Sequence, residues 1–405
     1  MTDAASRNLP KILMIAYACN PEGGGEHWLG WGWAEQAAKN YSVQLITTPN
    51  ARSQVESHAL RHGITPHFVE PPKAGRWGRK IGWQSKVVKL AAELQAREKF
   101  AIVHQTTFHT FRVPFLAAGL GIPSVWGPIA GGETTPPGFG RFLGPARLGE
   151  LNRKLVNHFC LALPAIRRSL RNASALFVSN RTTLNFLPAS VRAKCRVVSP
   201  NALRPEDETN LQFNPRPSHP AAPLQLLYVG NCVHTRALPL VFTAMKQPGL
   251  ENSHLTIVGA GVALDHWKQL IQREGLAARV TCTGAVAREQ LPGYYQSADV
   301  LVFPALRDSG GSALLEAMSK GLPVICLDWG GPGEMLTERC GVKITVTTPA
   351  KTITEFADGL RRLQQSPSWR EELGRNAVQQ ARTQFTWTAK RLLLEQTYNS
   401  LLAPP

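Results

Sequence analysis

Apolar, strand-like runs alternate with helical patterns along almost the whole chain, and this alternation constrains the fold more than any other feature. Strand-like runs fall at 11–17, 43–47, 66–69, 101–105, 123–126, 175–179 and 196–198. Between them, helical patterns cover 28–39, 53–62, 84–98, 113–118 and 151–172, the last with Pro164 placed to kink it. A Pro- and Asn-rich stretch, 200–223, shows little periodicity and reads as a linker or surface loop. The alternation then restarts, with strand-like runs at 224–229, 254–258, 279–283, 300–303, 323–327 and 341–346 and a last helix at 390–402. Strand, helix, strand in repeated order predicts parallel β-α-β units. The expected class is α/β, with two doubly wound, Rossmann-like domains facing a central cleft and ligands at strand carboxyl ends. The expected division is 1–205, a linker 206–223, a second domain 224–387 and a closing helix 388–405.

A chain of 405 residues is long for one core, which agrees with two domains. No run of about 18 apolar residues occurs, which argues against a membrane span. The N-terminal stretch MTDAASRNLPKILMIAYAC has Lys11 at the start of a short apolar run and reads as a first buried strand rather than a signal peptide. Seven cysteines are scattered, odd in number and never spaced C-x-x-C, so neither a disulfide framework nor a zinc site is expected and a reducing cytosol fits. The net charge of +17 is uneven: residues 1–200 hold 25 basic and 10 acidic residues, net +15, and residues 201–405 hold 20 and 18, net +2. The first half is therefore expected to meet an anionic partner. Charge alone leaves nucleic acid, an anionic membrane and a phosphorylated substrate open, but no recognised nucleic-acid module accompanies it.

The densest chemistry lies at 307–334, RDSGGSALLEAMSKGLPVICLDWGGPGE. Asp308 leads into the turn Ser309-Gly310-Gly311-Ser312, Glu316 lies one turn into the helical pattern that follows, and an apolar run ends at Gly330-Gly331. Such a segment can gather backbone N–H groups, a helix N-terminus and two carboxylates around one phosphate-bearing ligand. Carboxylates accept without donating, which suits sugar and ribose hydroxyls. The plain alternative is Asp308 as a helix cap and Glu316 paired with a nearby base. The glycines around the pair favour the ligand reading, and both carboxylates stand as candidate catalytic groups.

Other strand ends offer further candidates. Gly23-Gly24-Gly25 follows the first strand, so Gly24 and Gly25 can approach a phosphate or sugar, with Glu26 beside them; the bland reading is a plain β-to-α turn. The glycines do not spell G-x-G-x-x-G, so no nicotinamide cofactor is indicated. Gly131, Gly132 and Glu133 close the loop WGPIAGGE and read either as cleft-lining or as an ordinary turn. Gly230, Asn231 and Arg236 follow the first strand of the second half, where a cation beside free N–H groups could hold a diphosphate. His104 ends a strand and His109 follows it; each is a candidate proton acceptor, against the commoner structural role. Over 73–99, Lys73, Arg76, Arg79, Lys80, Lys86 and Lys89 accompany Trp83, Val87, Leu90, Ala91 and Leu94 at helical spacing, a pattern that fits either an anionic membrane surface or a core-packed helix.

Glu316-Ala317-Met318 and Gly321-Leu322-Pro323-Val324 resemble the donor-binding core of retaining glycosyltransferase family 4, the group 1 glycosyltransferases of GT-B fold. The family hallmark is two Glu residues separated by seven; here Asp308 replaces the first. Tyr17, the glycine turn, Glu26 and Gly30-Trp31 look like the acceptor domain of bacterial polysaccharide enzymes, and 126–133 looks like a loop of the same subgroup. Where the family has Gly-Arg and then Lys-Gly, this chain has Gly230-Asn231 and Arg236-Ala237. The resemblance implies an N-terminal acceptor domain, a C-terminal nucleotide-sugar domain and a last helix crossing back to the first. It implies transfer of a hexosyl group, with retention and without metal or other cofactor, from a nucleotide diphosphate sugar to a saccharide or lipid-linked saccharide. The implied setting is bacterial exopolysaccharide or surface polysaccharide synthesis, in the cytoplasm or peripherally on the inner face of the cell membrane. Glu316 would contact the donor ribose; Asp308 would contact the donor sugar, with Ser309 to Ser312 beneath the phosphates. A nucleotide-sugar epimerase or hydrolase and a non-catalytic partner protein are the alternative readings.

Overall fold

The computed structural model describes residues 9–213 and 222–403. Residues 1–8 of the N-terminal stretch and 214–221 of the expected linker lie outside the described residues. Contacts divide the chain into two units. One comprises residues up to Gly132, Val156–Pro200 and the chain from Trp387 onward; the other comprises Glu133–Leu155 and Asn201–Thr386. The expected α/β class, with two doubly wound sheets, is what the structure shows.

Among the described residues, the first unit holds seven strands: β1 (Lys11–Ala16), β2 (Ser42–Thr47), β3 (Thr65–Phe68), β4 (Ile102–Gln105), β5 (Ser124–Ile129), β6 (Ala175–Val178) and β7 (Cys195–Val197). They lie in the order β3-β2-β1-β4-β5-β6-β7, all parallel, with Ile12 opposite Val43 on one side and Ile102 on the other. Helices cover both faces of such a sheet, so its central strands are buried throughout and read as apolar runs rather than alternating ones. Trp33, Trp83 and Trp126 fill this unit's core. The closing helix Trp387–Leu402 belongs to it: a Cβ at Gly32 would stand 2.1 Å from the Trp387 indole, so only glycine lets the two helices approach.

Among the described residues, the second unit holds six strands: β8 (Leu224–Val229), β9 (Ser253–Val258), β10 (Val280–Gly284), β11 (Val300–Phe303), β12 (Val324–Leu327) and β13 (Gly341–Ile344). Their order is β10-β9-β8-β11-β12-β13, again all parallel. The order reverses at β8, between β9 and β11, and such a switch point opens a crevice at the strand carboxyl ends. Gly230 leaves β8 there, and Asp308 follows β11.

Several expected elements differ. The helix expected at 84–98 begins earlier and spans Arg76–Glu98; its first two turns carry Trp77 and Ile81 exposed and bury no apolar stripe. Its apolar side, Trp83, Val87, Ala91 and Leu94, is buried in the first unit's core, and the Trp83 indole N–H donates to the Val69 carbonyl at 2.9 Å. That side is thus not available to a membrane surface. The stretch 113–118 forms only a 3₁₀ turn, Leu116–Gly119. The long helix at 151–172 is two helices, Arg147–Ala162 and Pro164–Asn172, since Pro164 starts a helix, where its missing N–H costs nothing, more readily than it continues one. Within the expected linker, Pro205–Thr209 forms a short helix with Glu206, Asp207 and Glu208 in its first turn, where the helix dipole favours acidic groups. Among the described residues, no helix is long and apolar enough to cross a membrane.

Candidate functional site

The second unit's switch point is built by two loops. After β8 the chain turns at Gly230 (φ 147°), and the Tyr228 hydroxyl donates to the Asn231 carbonyl at 3.0 Å. A Cβ at Gly259, leaving β9, would lie 1.9 Å from the Gly230 carbonyl oxygen, so the two loops close on each other through bare backbone. Asn231 is exposed at this strand end. A 3₁₀ turn, His234–Arg236, then leads through Ala237 into the helix Leu238–Met245.

Arg236 reaches from this loop to the next one. Its Nη1 donates to the Arg307 carbonyl at 3.2 Å and is ion-paired with Asp308 Oδ2, while the guanidinium lies 5.4 Å from the Phe303 ring centroid. Asp308 Oδ1 accepts from the N–H of Gly310 at 2.8 Å and of Gly311 at 3.0 Å. The carboxylate thus ties the Ser309-Gly310-Gly311 turn together and holds Arg236 beside it. Gly311 (φ 68°) hands the chain to the helix Ser312–Ser319. Gly331 donates its N–H to the Asp308 carbonyl at 2.9 Å, and a Cβ on it would stand 2.4 Å from the Ser309 carbonyl carbon. The glycines at 330–331 therefore brace the 308–311 turn from behind. Ser309 is half-buried, Gly310 and Gly311 are buried and Ser312 is exposed.

Glu316 has a different set of partners. Its Oε2 accepts from the Tyr295 hydroxyl at 2.9 Å, and its Oε1 lies 3.5 Å from Arg288 Nη1. Burial pushes the Glu316 carboxyl up, against the Tyr295 hydrogen bond and the Arg288 charge, which hold it down. Arg288 also lies 3.8 Å from Glu206 and 3.9 Å from Asp207, and Lys320 pairs with Asp207 at 2.8 Å. These side chains line a cavity of about 270 Å³ with Leu291 and Pro292. The sequence reading missed Arg288, Tyr295, Asp207 and Lys320. Lys320 was findable, four residues beyond Glu316 at the end of the same helix; the others come from distant segments and carry no local signal.

In the first unit, the Gly23-Gly24-Gly25 turn precedes the helix Glu26–Ala38, with Gly24 exposed and Gly25 at φ 56°. Glu26 Oε1 accepts the His109 backbone N–H at 2.8 Å, which places His109 beside this turn. The His109 Nε2 atom is buried without a hydrogen-bond partner, and burial holds the imidazole below its usual pKa. His104 is fully buried. Its Nε2 lies 3.0 Å from the Gly127 carbonyl, which can only accept, so Nε2 carries the proton and Nδ1 accepts from the Tyr398 hydroxyl at 2.7 Å. Placement at a strand end suggested access to a ligand; the side chain instead points into the core, with both nitrogens occupied by protein groups. Gly131 and Gly132 are buried too, rather than lining an open loop: a Cβ at Gly132 would meet Thr183 Cα at 2.7 Å, and the Gly131 carbonyl accepts from Asn157 at 2.8 Å. Glu133, in the second unit, is buried with its carboxylate 3.7 Å from Arg153. Among the described residues, no three His, Cys, Asp or Glu side chains gather as a metal ion would require.

The fold defines the class: an α/β protein of GT-B type. Residues 212–380 match the family model described as glycosyl transferases group 1, a span that contains Gly230, Arg236, Asp308, Arg288 and Glu316. The chain is 32% identical over 141 residues to the D-inositol 3-phosphate glycosyltransferase of Corynebacterium diphtheriae, which is 35% of this chain and 32% of that relative. It thus spans about a third of the length of that curated relative, and 41% of another. Over nearly its whole length the chain shares its fold with sucrose-phosphate synthase from Thermosynechococcus elongatus (TM-score 0.62, 18% identity, 97% of this chain and 99% of that one). The same holds for Anabaena HepE, solved in complex with UDP (TM-score 0.62, 17% identity, 96% of this chain and 100% of that one).

Proposed function

We propose that this protein is a retaining glycosyltransferase that moves a hexosyl group from a nucleotide diphosphate sugar to a saccharide or lipid-linked saccharide acceptor. The observation that carries the reading is Glu316, a half-buried carboxylate set by Tyr295 and Arg288 at the wall of a 270 Å³ cavity. Such a carboxylate accepts from the vicinal hydroxyls of a ribose, which donate in pairs. The relatives' printed activities and the UDP held by HepE support a nucleotide-sugar donor.

Arg236 and the turn 308–311 would take the diphosphate. Arg236 is a fixed guanidinium that can trade its Asp308 partner for a phosphate, and the Ser312–Ser319 helix presents its N-terminus at the same turn. Asp308, released from Arg236, would accept from a donor-sugar hydroxyl. In the transfer, the bond from the anomeric carbon to the phosphate oxygen breaks, the bond to the acceptor oxygen forms on the same face, and the acceptor proton passes to the leaving phosphate. Charge on that phosphate is stabilised by Arg236 and backbone N–H groups, so neither metal nor further cofactor is called for. His109, neutral and with Nε2 unpartnered beside the Gly24-Gly25 turn, is the polar group of the first unit best placed to meet a ligand. The basic N-terminal half suits an anionic acceptor or a membrane surface, and synthesis of a bacterial surface or exopolysaccharide at the cytoplasmic face fits both.

A thermal-shift screen with UDP-, GDP- and ADP-sugars tests this. The matching donor at about 100 times its Kd should add about 2.7 kcal/mol of stability. Glu316→Ala should abolish that shift. An undiminished shift in the variant would sink the ribose role; no shift with any nucleotide sugar would sink the donor reading itself.

A further inference from the structure

Outward-facing apolar side chains concentrate on one helix, and no core accounts for them. In Arg147–Ala162, Leu148, Leu151, Leu155 and Phe159 are 78%, 60%, 65% and 66% exposed. Spaced three, four and four residues apart, they fall within an arc of about 80°. The face turned inward is mixed: Cys160 packs with Val156 and Leu161 in the first unit's core, and two polar side chains are buried on it as well. Glu150 is buried, accepting from the Thr135 N–H at 2.9 Å and lying 3.1 Å from Arg307 Nε. Asn157 is buried one stretch further on, accepting from Arg112 Nε at 2.7 Å. An ordinary surface helix turns its apolar stripe to the core and its polar face to water; this helix has inward apolar contacts and a second apolar stripe that is exposed.

The charge around the stripe has one sign. Arg147 is exposed next to Leu148, Lys154 is next to Leu155, and the one carboxylate of the helix, Glu150, faces inward on Arg307. From Leu151 to Pro200 there are nine Lys and Arg and no Asp or Glu. Beside the first turn lies an open groove of about 660 Å³, walled by Pro136, Pro137, Leu143 and Leu148, with Arg141 and Arg147 at its rim. A helix with an outward apolar stripe and cationic borders, too polar to span a bilayer, matches an anionic lipid surface: the stripe enters the acyl boundary and the cations meet lipid phosphates.

We propose that the N-terminal turns of Arg147–Ala162 are an interfacial anchor that lies in the plane of an anionic bilayer, with Leu148, Leu151 and Leu155 immersed and Arg141 and Arg147 on lipid phosphates. This deepens the membrane element of the proposed function by naming its surface, and rests on that reading only for which membrane is met. Lipid binding and donor binding are measured separately, so either can fail alone.

The test is co-sedimentation with vesicles of phosphatidylcholine, with and without phosphatidylglycerol. The intact chain should bind the phosphatidylglycerol vesicles at least about tenfold more tightly than pure phosphatidylcholine. The variant Leu148→Ser/Leu151→Ser/Leu155→Ser should lose about tenfold or more of that binding, with its melting temperature unchanged because all three side chains are exposed. Arg141→Glu/Arg147→Glu should lose a similar share, whereas Leu60→Ser, at an 86% exposed leucine elsewhere, should lose none. Undiminished vesicle binding by the triple variant overturns the proposal, as does equal loss in the Leu60 variant. A triple variant that keeps vesicle binding but converts a dimer to monomer would assign the stripe to a second copy instead, and one that loses only a water-soluble acceptor would assign it to the acceptor.

Discussion

At the scale of single residues, burial decides what a side chain can do. His104 and His109 look alike in sequence, yet their surroundings part them. His104 spends both nitrogens on Tyr398 and Gly127, and burial takes its pKa down to about 4, so it is neutral near pH 7. An unfolded histidine titrates near 6.5, so between those values the unfolded chain binds the extra proton and stability falls as pH drops through this window. The cost is on the order of 3 kcal/mol by pH 4. His104→Gln can offer an N–H to Gly127 and an oxygen to Tyr398 without titrating. Its melting temperature should therefore trail the parent's at pH 7 and close the gap towards pH 4.5; a constant gap across that range would remove the histidine from the acid response. Asp308 makes the same point: the residue type suggested a ligand contact, and the structure shows that contact must compete with two N–H groups and a guanidinium.

At the scale of elements, the loop between β8 and the helix Leu238–Met245 carries a visible cost. Ala237 sits at φ 48°, ψ 36°, the left-handed region, where an L side chain is strained by about 1 kcal/mol. Ala237→Gly should relieve it and raise the melting temperature by about 2–4 °C; a lower melting temperature would show that packing around the buried Ala237 methyl outweighs the strain. That the resembled family has glycine there was legible in the sequence, but the reason was not, since φ at one residue is set by where the flanking strand and helix dock. Pro164 and the Arg76–Glu98 helix show the converse. Their local rules were readable, but whether the proline kinks or starts a helix, and which side of the basic helix is covered, depended on neighbours far along the chain.

At the scale of the whole molecule, charge is the dominant long-range quantity. A net +15 in residues 1–200 against +2 in the remainder makes association with an anionic surface strongly salt-dependent, because exposed charges are screened beyond about 10 Å at 0.1 M salt. Raising salt from about 0.05 to about 0.5 M should weaken binding to phosphatidylglycerol vesicles severalfold, and the donor-induced thermal shift should fall less, since Arg236 and Asp308 are largely buried. Equal salt sensitivity of the two would place the donor on the exposed basic surface rather than at the switch point.

The sequence by itself determined the order of strands and helices, the restart after residue 200, the parallel sheets and the glycine-rich turn at 308–311. These follow from short-range rules: periodicity, turn chemistry and the burial that parallel strands require. Only the tertiary structure decided that Arg236 meets Asp308, that Arg288 and Tyr295 hold Glu316, that His104 is sealed in a core, and that the leucines of Arg147–Ala162 face outward. Each of these joins residues far apart in the chain or depends on which face of an element another covers, and no local pattern encodes either.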